Sequence, residues 1–423
     1  MSEGRRRPNI RRRPVTWAGS THRSVWARAG VMHLTGRASG PPLVAPRDTV
    51  AAISELGAIL GLDPFAYLGE RAATAGLSRR GTISCGGGSR LVRVRDGWIV
   101  VSLPREEDVS MVPAWLEVGS VDRDDPWDVV EREVLRQPAA GLVERGRLLG
   151  LAVGEVPLEP TDSAGRGAYG IDGLPVVAER VDSDGTSSSR SRSPLVIDLS
   201  SLWSGPLCAR LLGERGGVVI KVESLQRPDG ARGGPKPFFD LMHAGHRSVA
   251  LDLTSEEGKR QLLALLVRAD VVIEASRPRA LAQLGVDRRA IIGERPKVWL
   301  AITGHGSVGP GEDRIGFGDD AAAAGGLVAW DGFGPCFVAD AVADPLSGVV
   351  AAGAAVAALD AGGGWLIDVA MAAVARHVAP PPQEQWLEGD EAEALPPTAP
   401  KPLGRAPAIG EHTGEVMREL GLT

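Results

Sequence analysis

The distribution of apolar residues divides the chain into two halves with different patterns. After residue 193, short apolar runs alternate with longer stretches that have helical periodicity. The runs predict buried strands at residues 194–200, 217–223, 248–253, 270–275 and 297–303, and the periodic stretches predict helices at 205–216 and 255–269. Strands separated by helices of this length predict an α/β fold with a parallel, Rossmann-like sheet and right-handed crossovers.

The half before residue 182 has a different pattern. Residues 79–105 contain a run of three glycines, Gly86, Gly87 and Gly88, followed by two strand-like stretches at 91–94 and 98–103 joined by an Arg-Asp-Gly turn. This order predicts a hairpin in a small α+β domain. By themselves, the glycines are better explained as a flexible turn.

Low-complexity stretches mark the domain boundaries. The predicted units are a disordered basic tail (1–16), a helical segment (17–78), the small α+β domain (79–181), a Ser-rich linker (182–193), the Rossmann-like large domain (194–378), a Pro-rich and acidic irregular segment (379–404) and a carboxyl-terminal tail helix (405–423). Residues 29–44 and 325–338 share a glycine followed by apolar residues, a Gly-Pro turn and an apolar pair. This weak repeat suggests that 17–78 is a degenerate copy of part of the large domain.

Composition and charge exclude several classes of protein. The hydrophobic fraction is 43% and the charged fraction 24%, which are ordinary globular values. A net charge of −6 argues against a nucleic-acid partner, and the lack of an uninterrupted apolar stretch of spanning length argues against a membrane protein. The spacing of Cys85, Cys208 and Cys336 fits a reducing cytoplasm and predicts neither a disulfide framework nor a metal site.

Nucleotide-binding motifs are missing where the fold class would place them. The first predicted strand continues into Leu-Ser-Ser-Leu-Trp-Ser-Gly-Pro, and neither G-x-G-x-x-G nor a phosphate-binding P-loop follows a predicted strand. Dinucleotide and ATP sites therefore lose most of their support.

Two aspartates stand in one of the most apolar stretches of the chain. Asp340 and Asp344 precede a run of Ala, Val, Gly and Leu at 345–359 that predicts a helix. An aspartate ahead of a helix is commonly a cap, because its oxygen accepts from the first free backbone N–H groups. The spacing alone leaves a capping role and a chemical role open.

The motifs after residue 193 resemble the family III CoA-transferases, the group that includes formyl-CoA and carnitine CoA-transferases. The resemblance rests on VIDLSSLWSGPLCARLLGERGGVVIKVES, HRSVALDLTSEEGKRQLLALLVRADVVIEASRP, LAITGHGSVGP, the aspartate stretch, GGGWLIDVAMAAV and RAPAIGEHTGEVMRELGL, which occur in family order. It implies a Rossmann-type CoA-binding large domain, a small domain whose glycine loop covers the active site, and a homodimer of two interlocked rings.

The resemblance also implies a role for one aspartate. The family's catalytic aspartate is followed four residues later by glycine, a pattern that Asp344 and Gly348 match and Asp340 does not. A carboxylate there attacks the thioester of an acyl-CoA, and the resulting aspartyl anhydride becomes an aspartyl-CoA thioester that is passed to an acceptor acid. The implied partners are an acyl-CoA and a small carboxylic acid. No tightly bound cofactor is expected, since coenzyme A enters as part of the substrate.

Family positions also suggest where CoA is held, because its phosphates require cations and backbone N–H groups. The candidates are Lys221, Ser224, Arg247, Leu251, Leu253, Thr254 and Arg314. Other family positions differ: Ala275 replaces a usual asparagine, and Gln283 stands where a basic residue is common.

The chain departs from the family in its order, because the glycine loop and small domain come first. This is a circular permutation or a fusion whose first copy lost its sheet. Three functions remain open: a CoA-transferase, an α-methylacyl-CoA racemase, or a catalytically silent CoA-binding relative. A racemase of this type requires a histidine opposite the aspartate, but Phe317 stands at that position and His305 lies in the preceding loop.

Overall fold

A computed structural model of the chain describes residues 21–122, 124–160, 170–181, 193–276 and 278–422. The predicted basic tail (1–16) and all but the last residue of the predicted linker (182–193) lie outside the described residues. The helices are α1 (His22–Arg28), α2 (Arg47–Leu56), α3 (Glu70–Ala75), α4 (Glu106–Leu116), α5 (Trp127–Val134), α6 (Ala139–Leu149), α7 (Ser204–Glu214), α8 (Lys236–His243), α9 (Glu256–Arg268), α10 (Pro278–Gln283), α11 (Arg288–Glu294), α12 (Gly318–Ala324), α13 (Ala343–Ala361), α14 (Met371–Val378) and α15 (Thr413–Glu419).

The strands of the described residues form four sheets. They are β1 (Leu43–Val44), β2 (Ser89–Val94), β3 (Gly97–Ser102), β4 (Ala152–Glu155), β5 (Val177–Arg180), β6 (Leu195–Asp198), β7 (Val218–Ser224), β8 (Arg247–Leu251), β9 (Val271–Glu274), β10 (Val298–Thr303), β11 (Ala329–Asp331), β12 (Gly334–Cys336), β13 (Trp365–Ala370) and β14 (Leu387–Glu388).

The largest sheet confirms the predicted fold class. Its order is β5-β13-β10-β9-β6-β7-β8, and all neighbours are parallel except β5, which pairs antiparallel with β13. Numbered from β6 along the chain, the six parallel strands have the order 3-2-1-4-5-6 of a doubly wound Rossmann fold. Strand order reverses between β6 and β9. Ligands of such sheets bind outside the carboxyl ends of the strands at this switch point.

The residues assigned to the predicted small domain contain a sheet and a core of their own. Strands β2, β3 and β4 form an antiparallel sheet, and helices α4, α5 and α6 pack against it around a separate hydrophobic core. The predicted strands at 91–94 and 98–103 correspond to β2 and β3, which are joined by a tight turn at Arg95 and Asp96.

The segment before the small domain packs into the large domain. Trp26 of α1 is fully buried, donates its indole N–H to the Leu43 carbonyl and shares the main core with helices α7 and α13. The two stretches of the weak repeat lie side by side, because Arg37 forms an ion pair with Asp331 in the β11–β12 turn. This segment is therefore an integral part of the large-domain core.

Helix α13 runs through that core. By length and composition it is apolar enough to cross a membrane, yet most of its residues are buried inside the protein. It lies against α7, and Gly348 makes this close approach possible: a β-carbon at Gly348 would lie 2.7 Å from the Ser204 carbonyl oxygen and 3.0 Å from the Leu207 β-carbon. These contacts describe the central helix of a folded domain.

Candidate active site

Neither aspartate of the apolar stretch caps helix α13. The helix is preceded by Val342, and no side-chain hydrogen bond closes its first turn. Asp344 is the second residue of the helix, and its Oδ2 atom lies so close to Gly318 of α12 that a β-carbon on that glycine would collide with it. Asp340 lies before the helix and binds Arg71 of α3. The capping interpretation is therefore wrong for both residues.

Asp340 is fully buried and its carboxylate is bound edge to edge by Arg71. The Arg71 Nε atom lies 2.8 Å from Asp340 Oδ2, and Nη2 donates to Oδ1. The Arg71 side chain is still 30% exposed. A buried carboxylate requires such a partner, because an unpaired charge in the interior costs several kcal/mol, on the order of 3–5. Asp340 thus holds the guanidinium near Asp319 and Asp344. We refer to the partly exposed surface formed by Arg71, Asp319 and Asp344 as the cleft.

The backbone around Asp340 is in an uncommon conformation. Ala339 and Ala341 both have positive φ angles, 53° and 44°. Each strained residue is held by a hydrogen bond of its N–H: Ala339 donates to Thr35 Oγ1 at 3.1 Å and Ala341 donates to Asp319 Oδ1 at 3.0 Å. Non-glycine residues keep such conformations only where their surroundings over-determine them, and they cluster at functional sites.

A third carboxylate joins the cluster from α12. Asp319 is partly exposed, accepts from the Ala341 N–H and from Ser89 Oγ at 3.4 Å, and so connects the small domain to the stretch before α13. Its neighbour Asp320 is buried and accepts from the Phe317 N–H and from Ser102 Oγ. Residues from three segments that are far apart in sequence thus meet at the start of α13.

Burial makes the Asp344 and Asp319 carboxyl groups weaker acids than usual. It raises the pKa of Asp344 from 3.8 to about 7; the charge of Arg71 opposes the shift, while those of Asp319 and Asp340 add to it. Burial and the charge of Asp340 likewise raise the pKa of Asp319 to about 6. An ionised carboxylate at Asp344 is therefore high in energy, which favours its reaction with an electrophile.

The glycine loop lies beside this cluster. Gly86 is exposed, and a β-carbon there would lie 3.4 Å from Arg71 Nη2 and 3.8 Å from Nη1. Cys85, which precedes the glycines, is buried with its Sγ 3.2 Å from the Ala339 carbonyl oxygen. The structure thus brings Gly86 against Arg71, which lies near Asp344, although 258 positions separate Gly86 from Asp344.

The predicted CoA-binding positions do not form a single site. Four of them lie at the carboxyl ends of β7 and β8 or in the turn after β8, namely Ser224, Leu251, Leu253 and Thr254. Ser224 Oγ bonds to Gln226, which in turn donates to Asp252, and Thr254 also bonds to Asp252. These side chains form one polar edge beside the switch point.

The three predicted cations lie apart from that edge. Lys221 is buried, with its Nζ 2.9 Å from Asp229 Oδ2 and 2.9 Å from the Ser200 carbonyl oxygen. Arg247 begins β8 at the opposite edge of the sheet, where it pairs with Glu419 and lines a cavity of about 570 Å³. Arg314 donates to the Val153 carbonyl of the small domain.

Reasoning from sequence did not identify Arg71 or Asp319. Asp319 had a signal, because Asp319 and Asp320 precede an alanine-rich run in the same way that Asp340 and Asp344 do. Arg71 had none: it stands in a short Glu-Arg-Ala-Ala helix that looks like a solvated surface. All three cysteines are buried free thiols, and the described residues contain no cluster of His, Cys, Asp or Glu suited to a metal ion.

Comparison with known proteins places the second half of the chain in one family. Residues 194–409 match the model of CoA-transferase family III. The chain is 30% identical to a succinyl-CoA:D-citramalate CoA-transferase of Chloroflexus aurantiacus, over 43% of this chain and 50% of that protein. It is 32% identical to an (R)-2-hydroxy-4-methylpentanoate CoA-transferase of Clostridioides difficile, over 39% and 45% of the two chains.

The similarity to each of these proteins covers only part of the chain. A succinate–glutarate CoA-transferase of Agrobacterium fabrum is 32% identical over 42% of this chain and 49% of that protein. A solved structure of a hypothetical protein from Mycobacterium tuberculosis is 31% identical over 45% and 56% of the two chains, with a TM-score of 0.41. The chain thus spans half or less of the length of these three curated relatives.

Proposed function

The chain belongs to the family III CoA-transferases, and we propose that it moves CoA from an acyl-CoA to a carboxylic acid. In this reaction Asp344 is the nucleophile. The donor and acceptor are small acids, in keeping with the names of the relatives, which act on succinyl-CoA, glutarate and 2-hydroxy acids. We further propose that the protein forms a homodimer in the cytoplasm and has no tightly bound cofactor. Light scattering of the purified protein tests the dimer.

One contrast between the two aspartates supports Asp344 as the nucleophile. Asp340 is fully buried, and each of its two oxygens accepts a hydrogen bond from Arg71. Asp344 is partly exposed in the cleft and lies beside Gly318 of α12. An electrophile that enters the cleft can therefore reach Asp344 and not Asp340.

The first half-reaction forms and then consumes an anhydride. An Asp344 carboxylate oxygen attacks the thioester carbon, a C–O bond forms, the C–S bond breaks, and CoA leaves as a thiolate. The thiolate then attacks Cγ of Asp344 and expels the donor acid as a carboxylate. The product is an aspartyl-CoA thioester, and no external oxidant, reductant or proton is required.

The second half-reaction repeats these steps in reverse with another acid. The acceptor carboxylate attacks Cγ of Asp344 and releases the CoA thiolate, which then attacks the acceptor's own carbonyl carbon. The new acyl-CoA leaves and the Asp344 carboxylate is regenerated. The amino end of α13 favours negative charge here, because its first peptide dipoles point their positive ends towards Asp344.

The glycine loop is the element best placed to control access. The exposed Gly86 lies at the mouth of the cleft, and its backbone runs beside the Arg71 guanidinium. A loop that closes over the anhydride would keep water from hydrolysing it. CoA would extend from the cleft towards the switch point and the polar edge formed by Ser224 and Thr254.

A covalent adduct is the direct test of this function. Incubation of the full chain with a panel of acyl-CoAs, including succinyl-CoA, should give a protein mass increased by bound CoA, and a second acid should discharge it. Exchange of an α-proton without CoA release would instead indicate a racemase. A racemase needs a second proton-transferring side chain opposite the aspartate, and neither candidate position suits this role. Burial lowers the pKa of His305 to about 3, so it is a weak base. Phe317 has no proton to transfer and packs under Arg105.

A further inference from the structure

Arg71 faces the cleft with part of its hydrogen-bonding capacity unused by its aspartate partner. A guanidinium carries five N–H donors in one plane. Nε and one Nη2 donor are directed at Asp340, and the side chain remains 30% exposed. The other donors, at Nη1 and Nη2, can therefore meet a ligand that approaches from the open side.

The cleft already carries more negative than positive charge, and an acidic ligand would add to this excess. Asp319, Asp340 and Asp344 place three carboxylates near one guanidinium. An acid that enters to accept CoA brings a further carboxylate, and like charges at short range repel each other. A guanidinium matches a carboxylate in shape and charge, which is why arginine is preferred where planar recognition of a carboxylate is needed.

The surroundings of Arg71 leave a place for the acid. Trp203 supports one side of the guanidinium, with its ring centroid 5.6 Å from Cζ. A β-carbon at Gly86 would lie 3.4 Å from Nη2 and 3.8 Å from Nη1, and no other atom of the described residues outside 85–87 would lie within 4 Å of it, so the space beside both Nη atoms is open. The acid would then lie between the glycine loop and the guanidinium, in front of Asp344.

We infer that Arg71 binds the carboxylate of the acid substrate, holding one oxygen while the other faces Cγ of Asp344. The inference rests on the proposed function for the role of that acid as the CoA acceptor. The ligand class is a small aliphatic mono- or dicarboxylate. Asp340 is then a positioning residue, since it fixes the plane of the guanidinium and does not touch the substrate.

Binding of the acid alone tests this inference without any turnover. Succinate, malate and butyrate are titrated calorimetrically into the full chain and into Arg71→Met. At least one acid should bind the wild-type protein, and Arg71→Met should weaken that binding by at least about tenfold, since a charged hydrogen-bonded pair is lost. Equal binding to both proteins, or no binding of any acid to the wild type, would overturn the inference.

Arg37 provides a matched control. It also forms a bidentate pair with an aspartate, Asp331, it is also 30% exposed, and it also lies against an aromatic ring, that of Phe333. Its partner lies in the β11–β12 turn, not in the carboxylate cluster. Arg37→Met should therefore bind the acid as the wild type does, and a loss equal to that of Arg71→Met would show a general structural effect.

A kinetic experiment separates this inference from the proposed function. In Arg71→Lys, the CoA adduct should still form from succinyl-CoA, while the acid concentration that half-discharges it should rise at least about tenfold with little change in the rate at saturation. If no acyl-CoA labels even the wild-type protein, the proposed function fails, and the titrations still decide the role of Arg71. Should Arg71→Met not fold, Arg71→Met combined with Asp340→Leu removes both charges and takes its place.

Discussion

Arg71 and Asp340, 269 positions apart in the chain, form a bidentate ion pair that joins helix α3 to the stretch leading into helix α13. Further contacts reinforce this connection, because the Phe337 N–H donates to the Gly81 carbonyl and the Ala339 N–H donates to Thr35. The amino-terminal segment thus holds the backbone that carries the proposed nucleophile. The amino-terminal segment therefore stabilises the structure of the proposed active site.

The two aspartates should respond differently to substitution. Asp344→Ala should abolish the CoA adduct and transfer, because the atom that forms the bond is gone, and it should leave the fold intact. Asp340→Asn should still form the adduct at a reduced rate, since it loses only part of its hold on Arg71. The rates should differ by several orders of magnitude. Mass spectrometry of the adduct, with circular dichroism as the folding control, measures both.

The reverse result would change the assignment. A folded Asp344→Ala protein that still moves CoA between acids contradicts the proposed nucleophile. If Asp340→Asn is the inactive variant and Asp344→Ala retains activity, the nucleophile is Asp340, four residues earlier in the chain.

Adduct formation should depend on pH through Asp344. Its pKa is raised to about 7, chiefly by burial, and only the ionised form attacks the thioester. The rate should therefore increase between about pH 6 and pH 8 and level off above that. Arg71, Asp319 and Asp340 also face this carboxyl, so Arg71→Met should move the midpoint to higher pH. Single-turnover rates measured from pH 5.5 to 8.5 would show it; a rate that falls with pH would contradict it.

The same shift has a consequence for stability. The folded-state pKa of Asp344 lies above its ordinary value of 3.8, so the fold favours the protonated form. This contribution to the free energy of unfolding is complete below about pH 4 and is lost as pH rises through about 7. Asp344→Asn removes it, and the melting temperature of that variant should fall less between pH 5 and pH 8 than that of the wild type.

Much of the fold follows from local pattern, and much of the site does not. Five of the six parallel strands were predicted to within a few residues, because each is a continuous apolar run bounded by polar residues, whereas β13 was not predicted as a strand. Strand β5 was missed because its four residues, Val-Ala-Glu-Arg, carry no such signal and acquire strand structure only by pairing with β13. Asp344 was proposed as the nucleophile because it fits the family pattern. Arg71 became recognisable only when folding placed it against Asp340.

Close packing of helix α13 should make Gly348 sensitive to substitution. In Gly348→Ala the new methyl group would lie 2.7 Å from the Ser204 carbonyl oxygen, and both atoms belong to tightly packed helices. We expect the free energy of unfolding to fall by about 1–3 kcal/mol, as is common for overpacked cores. Urea unfolding gives the value.

Gly353 on the same helix is the control for this variant. A β-carbon there would meet nothing closer than 3.4 Å, at the Leu174 Cδ1 atom. Gly353→Ala should therefore be neutral or stabilising by up to about 1 kcal/mol, because alanine favours a helix more than glycine does. Equal destabilisation by the two variants would mean that helix α13 tolerates no added volume anywhere, and the argument from Ser204 would fail.

The glycine loop should distinguish its members in the same way. Gly87 has a φ angle of +83°, a conformation that costs other residues about 1–2 kcal/mol, whereas Gly88 has a negative or extended φ and open space up to 3.7 Å. Gly87→Ala should slow CoA transfer by roughly tenfold as the loop leaves this conformation. Gly88→Ala should change the rate little. Steady-state rates compare them, and an equal loss for both would indicate that the loop's volume matters and its backbone angle does not.

Thr35 tests whether the amino-terminal segment supports the active site. It is fully buried, donates to the Val31 carbonyl and accepts from the Ala339 N–H, next to Asp340. Thr35→Val keeps the shape and removes the acceptor, which leaves that N–H buried without a partner. We expect a loss of about 1–3 kcal/mol in the free energy of unfolding and slower adduct formation. Ser54→Ala is the control, because its buried hydroxyl bonds only within α2, to Val50; it should leave the rate unchanged. A Thr35→Val protein with wild-type stability and rate would show that the strained backbone at Ala339 holds without this contact.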